Sequence, residues 1–71
     1  MKSAKEMFEE LGYNVKFENN NFIHYTNLEL LKELKFHKDY KVFYIIGSKT
    51  IFGDELQAIN KQVEELGWEE K

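Results

Sequence analysis

Apolar residues recur with a helical period near both ends of the chain and with a period close to two in between. Ala4, Met7, Phe8 and Leu11 stand at i, i+3, i+4 and i+7, one apolar stripe on a helix predicted over residues 4–11. Ser3 with Glu6 three residues on forms a capping box at its start, and Gly12 supplies the left-handed stop at its end. Tyr13 follows, placed to pack back on Phe8. Leu56, Ile59, Val63 and Leu66 mark a second helical face, closed by Gly67. Asp54 and Glu55 fall in its first turn, where the helix dipole favours negative charge. Trp68 stands behind Gly67 as Tyr13 stands behind Gly12. The strings EELGY (9–13) and EELGW (64–68) read as one capping solution used twice, because the residues upstream of them do not match.

Between the helices Val15 and Phe17 alternate with Lys16 and Glu18, three asparagines at 19–21 make a turn, and Phe22 to Thr26 returns as a second strand. Residues 33–37 and 40–46 predict another hairpin. A two-residue loop would set Phe36 opposite Lys41 on one face. A three-residue loop over 38–40 instead pairs Phe36 with Val42 and Leu34 with Tyr44, which sorts Leu34, Phe36, Val42, Tyr44 and Ile46 onto an apolar face. Lys35, His37, Lys41, Phe43 and Ile45 then share a mixed face. Residues 28–33 have helical propensity with no cap beyond Asn27 and are expected to form an extended or irregular lead-in. The fold expected is α+β in the order α-β-β-β-β-α, an antiparallel meander with both helices on one face. Its core is expected to hold Met7, Phe8, Leu11, Val15, Phe17, Leu34, Phe36, Val42, Tyr44, Leu56, Ile59, Val63 and Leu66.

Length makes this one domain, residues 1–71, near the lower size limit for folding without a staple. Cysteine is absent, which removes disulfides and thiolate metal sites and fits a reducing cytoplasm. Six phenylalanines, four tyrosines and a tryptophan supply large buried area instead, and a homodimer would add more. The N-terminal segment has no apolar signal-peptide core, and the longest apolar run is far short of the roughly 20 residues that span a bilayer, so no membrane association is expected. The net charge of −3 is unevenly placed. Asp54, Glu55, Glu64, Glu65, Glu69 and Glu70 outnumber Lys61 and Lys71 at one end. In the middle Lys32, Lys35, Lys38, Lys41 and Lys49 outnumber Glu29, Glu33 and Asp39. Such patterning is mostly that of a solvated mixed surface.

Catalytic chemistry finds no foothold. His24 and His37 are the only histidines, too few for a zinc site without carboxylates at ligand spacing. Ser48 and Thr50 lie near Lys49 without a nucleophile-elbow context, and Gly47 and Gly53 do not make a phosphate loop. Neither an enzyme nor a cofactor is expected. Single-stranded nucleic acid is a better rival, since Lys32, Lys35, Lys38 and Lys41 surround the second hairpin, with Tyr40 and Phe43 available to stack bases. The chain contains no arginine, however, which weakens that case. Two short helices can cover one side of a small sheet, leaving Phe43, Ile45, Phe22 and His24 on a face open to water. The partner-binding residues expected are Lys35, His37, Lys41 and Phe43, with Phe43 as the apolar centre.

The strings AKEMFEELGY (4–13), KVFYII (41–46) and ELQAINKQVEELGW (55–68) resemble small proteins encoded in phages and prophages of low-GC Gram-positive bacteria. Those proteins open on a similar helix and close on a similar one around a strand-rich middle. The matching ends cover about a third of the chain, and the present sequence departs at Phe52-Gly53, where a Thr-type cap is usual. The resemblance implies a cytoplasmic setting in a bacterial host. It also implies a host protein as partner, with inhibition or modulation of an antiviral defence system, anti-CRISPR activity among them, as the role. A sponge for a defence nucleotide signal is a further expectation. Helix faces and caps carry the likeness, so it transfers no functional residue.

Overall fold

The computed structural model describes residues 2–68. Glu69, Glu70 and Lys71, part of the acidic end, lie outside the described residues. The elements run α1 (Ala4–Glu10), β1 (Asn14–Glu18), β2 (Phe22–Asn27), β3 (Lys32–His37), β4 (Val42–Gly47) and α2 (Gly53–Glu65). The strands form one antiparallel sheet in the order β1-β2-β3-β4, and both helices pack on the same face of it, as the sequence pattern predicts.

The helix caps follow the local sequence. Ser3 accepts from the Glu6 N–H while the Glu6 carboxylate accepts from the Ser3 N–H at 2.8 Å. At the C-terminal end of α1, the Gly12 N–H donates to Glu9 C=O and the Tyr13 N–H to Phe8 C=O. The Tyr13 ring then meets Phe8 edge-on at 5.4 Å. Gly67 and Trp68 repeat the pattern on Glu64 and Val63. The first turn of α2 has no side-chain cap from Phe52; Glu55 reaches back to the Phe52 N–H at 2.9 Å.

Paired residues share a face of the sheet, so the register places every strand residue. The covered face carries Tyr25, Leu34 and Ile45 in one row and Ile23, Phe36 and Phe43 in the next. Phe8 lies over them, with its ring centroid 4.2 Å from that of Tyr25 and 6.2 Å from that of Phe36. Ala4, Ala58 and Ile59 complete the buried core, and Met7, Leu11, Val63, Leu66 and Trp68 pack around it.

Several expectations need correction. The second hairpin turns through residues 38–41, not 38–40, with Lys41 in the left-handed region (φ 56), so His37 pairs with Val42 and Phe36 with Phe43. That one-residue slip reverses the faces of β4: Val42, Tyr44 and Ile46 point to the open side, and Phe43 and Ile45 to the helices. A left-handed non-glycine residue costs of order 1–2 kcal/mol, but it brings the Phe43 ring onto Phe36, stacked at 5.4 Å. Residues 28–31, expected to be extended or irregular with 32 and 33, form a matching four-residue turn with Leu31 left-handed (φ 52), and the strand begins at Lys32. In β1 a bulge between Val15 and Phe17 turns Phe17 to the open face opposite His24, so Val15 and Phe17 no longer alternate onto one side.

The buried stripe of α2 is also rotated by one position. Glu55, Ala58, Ile59 and Gln62 face the sheet, and Leu56 is half exposed. Two polar side chains on the sheet explain the rotation. The Lys32 ammonium, 1% exposed, donates to both Glu55 oxygens at 2.8 Å and to Thr50 C=O. The Tyr13 hydroxyl donates to the same carboxylate, and the Tyr25 hydroxyl donates to Gln62 at 2.6 Å. Val15, Phe17, Val42 and Tyr44, expected in the core, are exposed with Leu56. At Gly47 (φ +95) an added Cβ would stand 2.2 Å from Leu31 C=O, so glycine is required where β4 ends against the preceding turn.

Candidate interaction surface

Three rows of side chains cross the face that no helix covers. Phe17, His24, Lys35 and Tyr44 span all four strands; Phe22, His37 and Val42 lie to one side, and Asn14, Thr26, Glu33 and Ile46 to the other. Four of these apolar or aromatic residues are strongly exposed: Phe17 and Tyr44 at 50%, Ile46 at 48% and Val42 at 40%. Exposed apolar side chains grouped on one surface in this way are common at interaction sites; Leu28, Leu31 and Tyr40 are more exposed still, but stand in the turns.

Of the four residues that the sequence pattern nominated, the structure keeps Lys35 and His37 on the open face. Lys41 sits in the adjoining turn. Phe43 lies on the opposite side, half buried against Phe36, because of the register. It is therefore not the apolar centre of this surface. Phe22 and His24 do stand on the open face, as the hairpin pattern predicted; Ile45 does not. Phe17 and Tyr44 were missed, Phe17 because a bulge carries no strong sequence signal and Tyr44 because the loop length was one residue short.

The polar groups on this face are partly committed to one another. The Lys35 ammonium lies over the Phe22 ring at 4.3 Å. His37 stands between Phe22, edge-on at 4.5 Å, and Tyr40, stacked at 4.4 Å. His24 Nε2 approaches Glu33 Oε1 at 2.5 Å, and the Lys16 ammonium reaches the same oxygen at 3.5 Å. The hydrogen bond from His24 holds the Glu33 carboxyl below its usual carboxylate range, against a smaller opposing effect of burial. Lys16 and Lys35 against Glu33, with Lys38 and Lys41 against Asp39 in the adjoining turn, leave this side basic by a small margin. The helix side carries Glu9, Glu10, Asp54, Glu64 and Glu65 and is acidic.

Among the described residues no group of three or more His, Cys, Asp or Glu stands close enough to hold a metal ion. An open groove of about 680 Å³ runs between the helices, lined by Met7, Leu11, Gln57 and Asn60. On its charged rim Lys2 pairs with Glu10 and Lys61 with Glu64, and Asp54 stands beside them. No described helix is long and apolar enough to cross a membrane. Comparison of the chain with protein-family models, with curated proteins and with solved structures returns no match.

Proposed function

We propose that this chain is a non-enzymatic protein-binding module that docks its open sheet face on a partner surface with an apolar patch and an acidic rim. The observation that carries the reading is the row Phe17–His24–Lys35–Tyr44, which sets aromatic rings and a lysine side by side across a face without helix cover. Aromatic anchors supply most of the binding energy at such surfaces, while flanking lysines raise the association rate and select for acidic partners. The likeness of the terminal segments to small phage and prophage proteins extends the proposal. The partner is a host protein of an antiviral defence system, which the module inhibits or modulates in the bacterial cytoplasm.

Single-stranded nucleic acid is the second reading, favoured by the same rings. Two observations count against it. Lys32, one of the four lysines that made the hairpin look basic, is buried on Glu55, and Phe43 is turned to the core. Of the remaining rings, Phe22 is covered by Lys35, and His37 and Tyr40 stack on each other. That leaves Phe17 and Tyr44, on the two edge strands, as the rings of this face open to bases.

Affinity capture from a Gram-positive host lysate with the wild type, Phe17→Ala and Lys35→Glu, each verified as folded by circular dichroism, tests the proposal. The expected outcome is a partner retained by the wild type and lost, or weakened at least tenfold, by both variants. Equal capture by all three would remove the open face from the interaction. Binding of an oligothymidine by the wild type, falling steeply with salt, would establish the nucleic-acid reading in its place.

A further inference from the structure

We propose that β4 is a dimerisation edge: two copies of this chain pair antiparallel along their β4 strands into one continuous eight-stranded sheet. This inference stands independently of the function proposed above.

The two edges of the sheet are built differently. β1 carries the devices that keep an edge from pairing: a bulge, the charged Lys16 and Glu18, and a Lys5 side chain laid onto Glu18 at 3.2 Å. β4 has neither a bulge nor a charge of its own; the side chain laid on it is the exposed Lys49, whose ammonium sits on the Ile45 carbonyl and gives way when a second strand pairs there. Its six residues, Val42–Gly47, include no charge and no proline, and the ladder to β3 runs without a bulge. An apolar, exposed edge of this length without a bulge is a template for another strand.

The hydrogen-bond alternation shows what that template offers. The Lys38 N–H donates to Asn21 C=O at 2.8 Å, one step beyond the Phe22–His37 pair. Counting from it, the backbone groups of Glu33, Lys35 and His37 turn toward β4, and those of Val42, Tyr44 and Ile46 turn back to meet them. Phe43 and Ile45 therefore aim their N–H and C=O groups outward. The Ile45 carbonyl already attracts a donor from outside the ladder, the exposed Lys49 ammonium at 2.5 Å.

One register uses all of this. With Tyr44 on a two-fold axis normal to the sheet, Phe43 pairs with Ile45 of the second copy and Ile45 with its Phe43, four main-chain hydrogen bonds in all. On the open face Tyr44 meets Tyr44, and Val42 meets Ile46, twice. On the covered face the half-buried Phe43 and Ile45 close over each other across the seam. No charged side chain enters the ladder, and Lys41 falls opposite Gly47 rather than another lysine. The contact is isologous, and because β1 is blunted it closes at two copies instead of growing into a fibre. A chain of this size, near the limit for an independent core, is also the kind that association stabilises.

The chain has no cysteine, so engineered ones report the register without background. Tyr44→Cys places two thiols at a non-hydrogen-bonded pair, where Cα atoms stand about 4.5 Å apart, within disulfide range. Under mild oxidation it is expected to form a covalent dimer rapidly, whereas Ile46→Cys and Thr26→Cys remain largely monomeric. Sedimentation equilibrium of the unmodified chain is expected to show a dimer, and Tyr44→Lys, which sets two ammonium groups on the axis, a folded monomer. A wild-type chain that stays monomeric up to millimolar concentration would overturn the proposal. So would faster cross-linking through Thr26→Cys, which would indicate face-to-face association instead.

Discussion

The two faces of the sheet use the same kinds of charged side chain to opposite ends. On the covered face Lys32 and Glu55 meet at 2.8 Å with 1% and 2% of their side chains exposed, and every lone pair and proton nearby is engaged by Thr50, Phe52 or Tyr13. On the open face Lys16, His24 and Glu33 also gather on one carboxylate, but water reaches it. An ion pair removed from water must be completed by further hydrogen bonds or it destabilises the fold; one left in water contributes little and can be rearranged by a partner. The contrast teaches that the covered face is fixed and the open face is adjustable.

The most severe way to break the contrast is Lys32→Met. It leaves the Glu55 carboxylate buried without its cation, at an expected cost of about 3–5 kcal/mol. That equals the whole stability expected of a domain this size, about 3–5 kcal/mol. Loss of a cooperative melting transition is the expected result, with partial recovery in the double variant Lys32→Met/Glu55→Leu. A single variant that melts with the wild type would show that the pair is not sealed from water.

Acid acts on the same pair. Burial raises the pKa of Glu55, but the Lys32 ammonium, the Phe52 N–H and the Tyr13 hydroxyl together outweigh it and hold the carboxyl below its ordinary value of 4.5. A carboxylate whose pKa is lower folded than unfolded contributes stability that is complete above the unfolded value and is lost as pH falls through the folded one. Denaturant midpoints are therefore expected to hold steady from neutral pH down to about 4.5 and to drop below it. The drop should be shallower in the Lys32→Met/Glu55→Leu variant; an identical acid profile would assign the loss to other carboxylates.

The smallest effects separate two phenylalanines. Phe43→Ala removes a half-buried ring stacked on Phe36 and is expected to cost about 2 kcal/mol. Phe17→Ala, on the open face, should stay within about 0.5 kcal/mol of the wild type. Chemical denaturation of both variants measures the difference directly. A larger loss from Phe17 than from Phe43 would contradict the placement of the two rings.

Much of the fold was legible because its signals are local. Ser3 with Glu6, Gly12 with Tyr13, and Gly67 with Trp68 specify their caps within a few residues, and the asparagine turn at 19–21 closes its own hydrogen bonds: Asn19 accepts from Asn21 and Phe22 at 2.8 Å. The candidate surface was only half legible. Lys35 and His37 alternate along one strand, and their common face follows from the pleat alone. Phe43 was misplaced because KVFYII is apolar at both parities, so the strand itself does not say which side is buried.

The sequence alone therefore determined the helices, the order of the elements and the antiparallel meander, since capping and period act over short distances. Tertiary structure decided the rest. The left-handed Lys41 that slips β4 by one residue is favoured only once Phe43 can stack on Phe36. The rotation of α2 that buries Glu55 in place of Leu56 is favoured only once Lys32 stands beneath it. The bulge that turns Phe17 outward forms only where β1 lies at an edge, free to bend. Each of these compares the burial of one side chain with that of its neighbour, and the comparison is made between elements far apart in the chain.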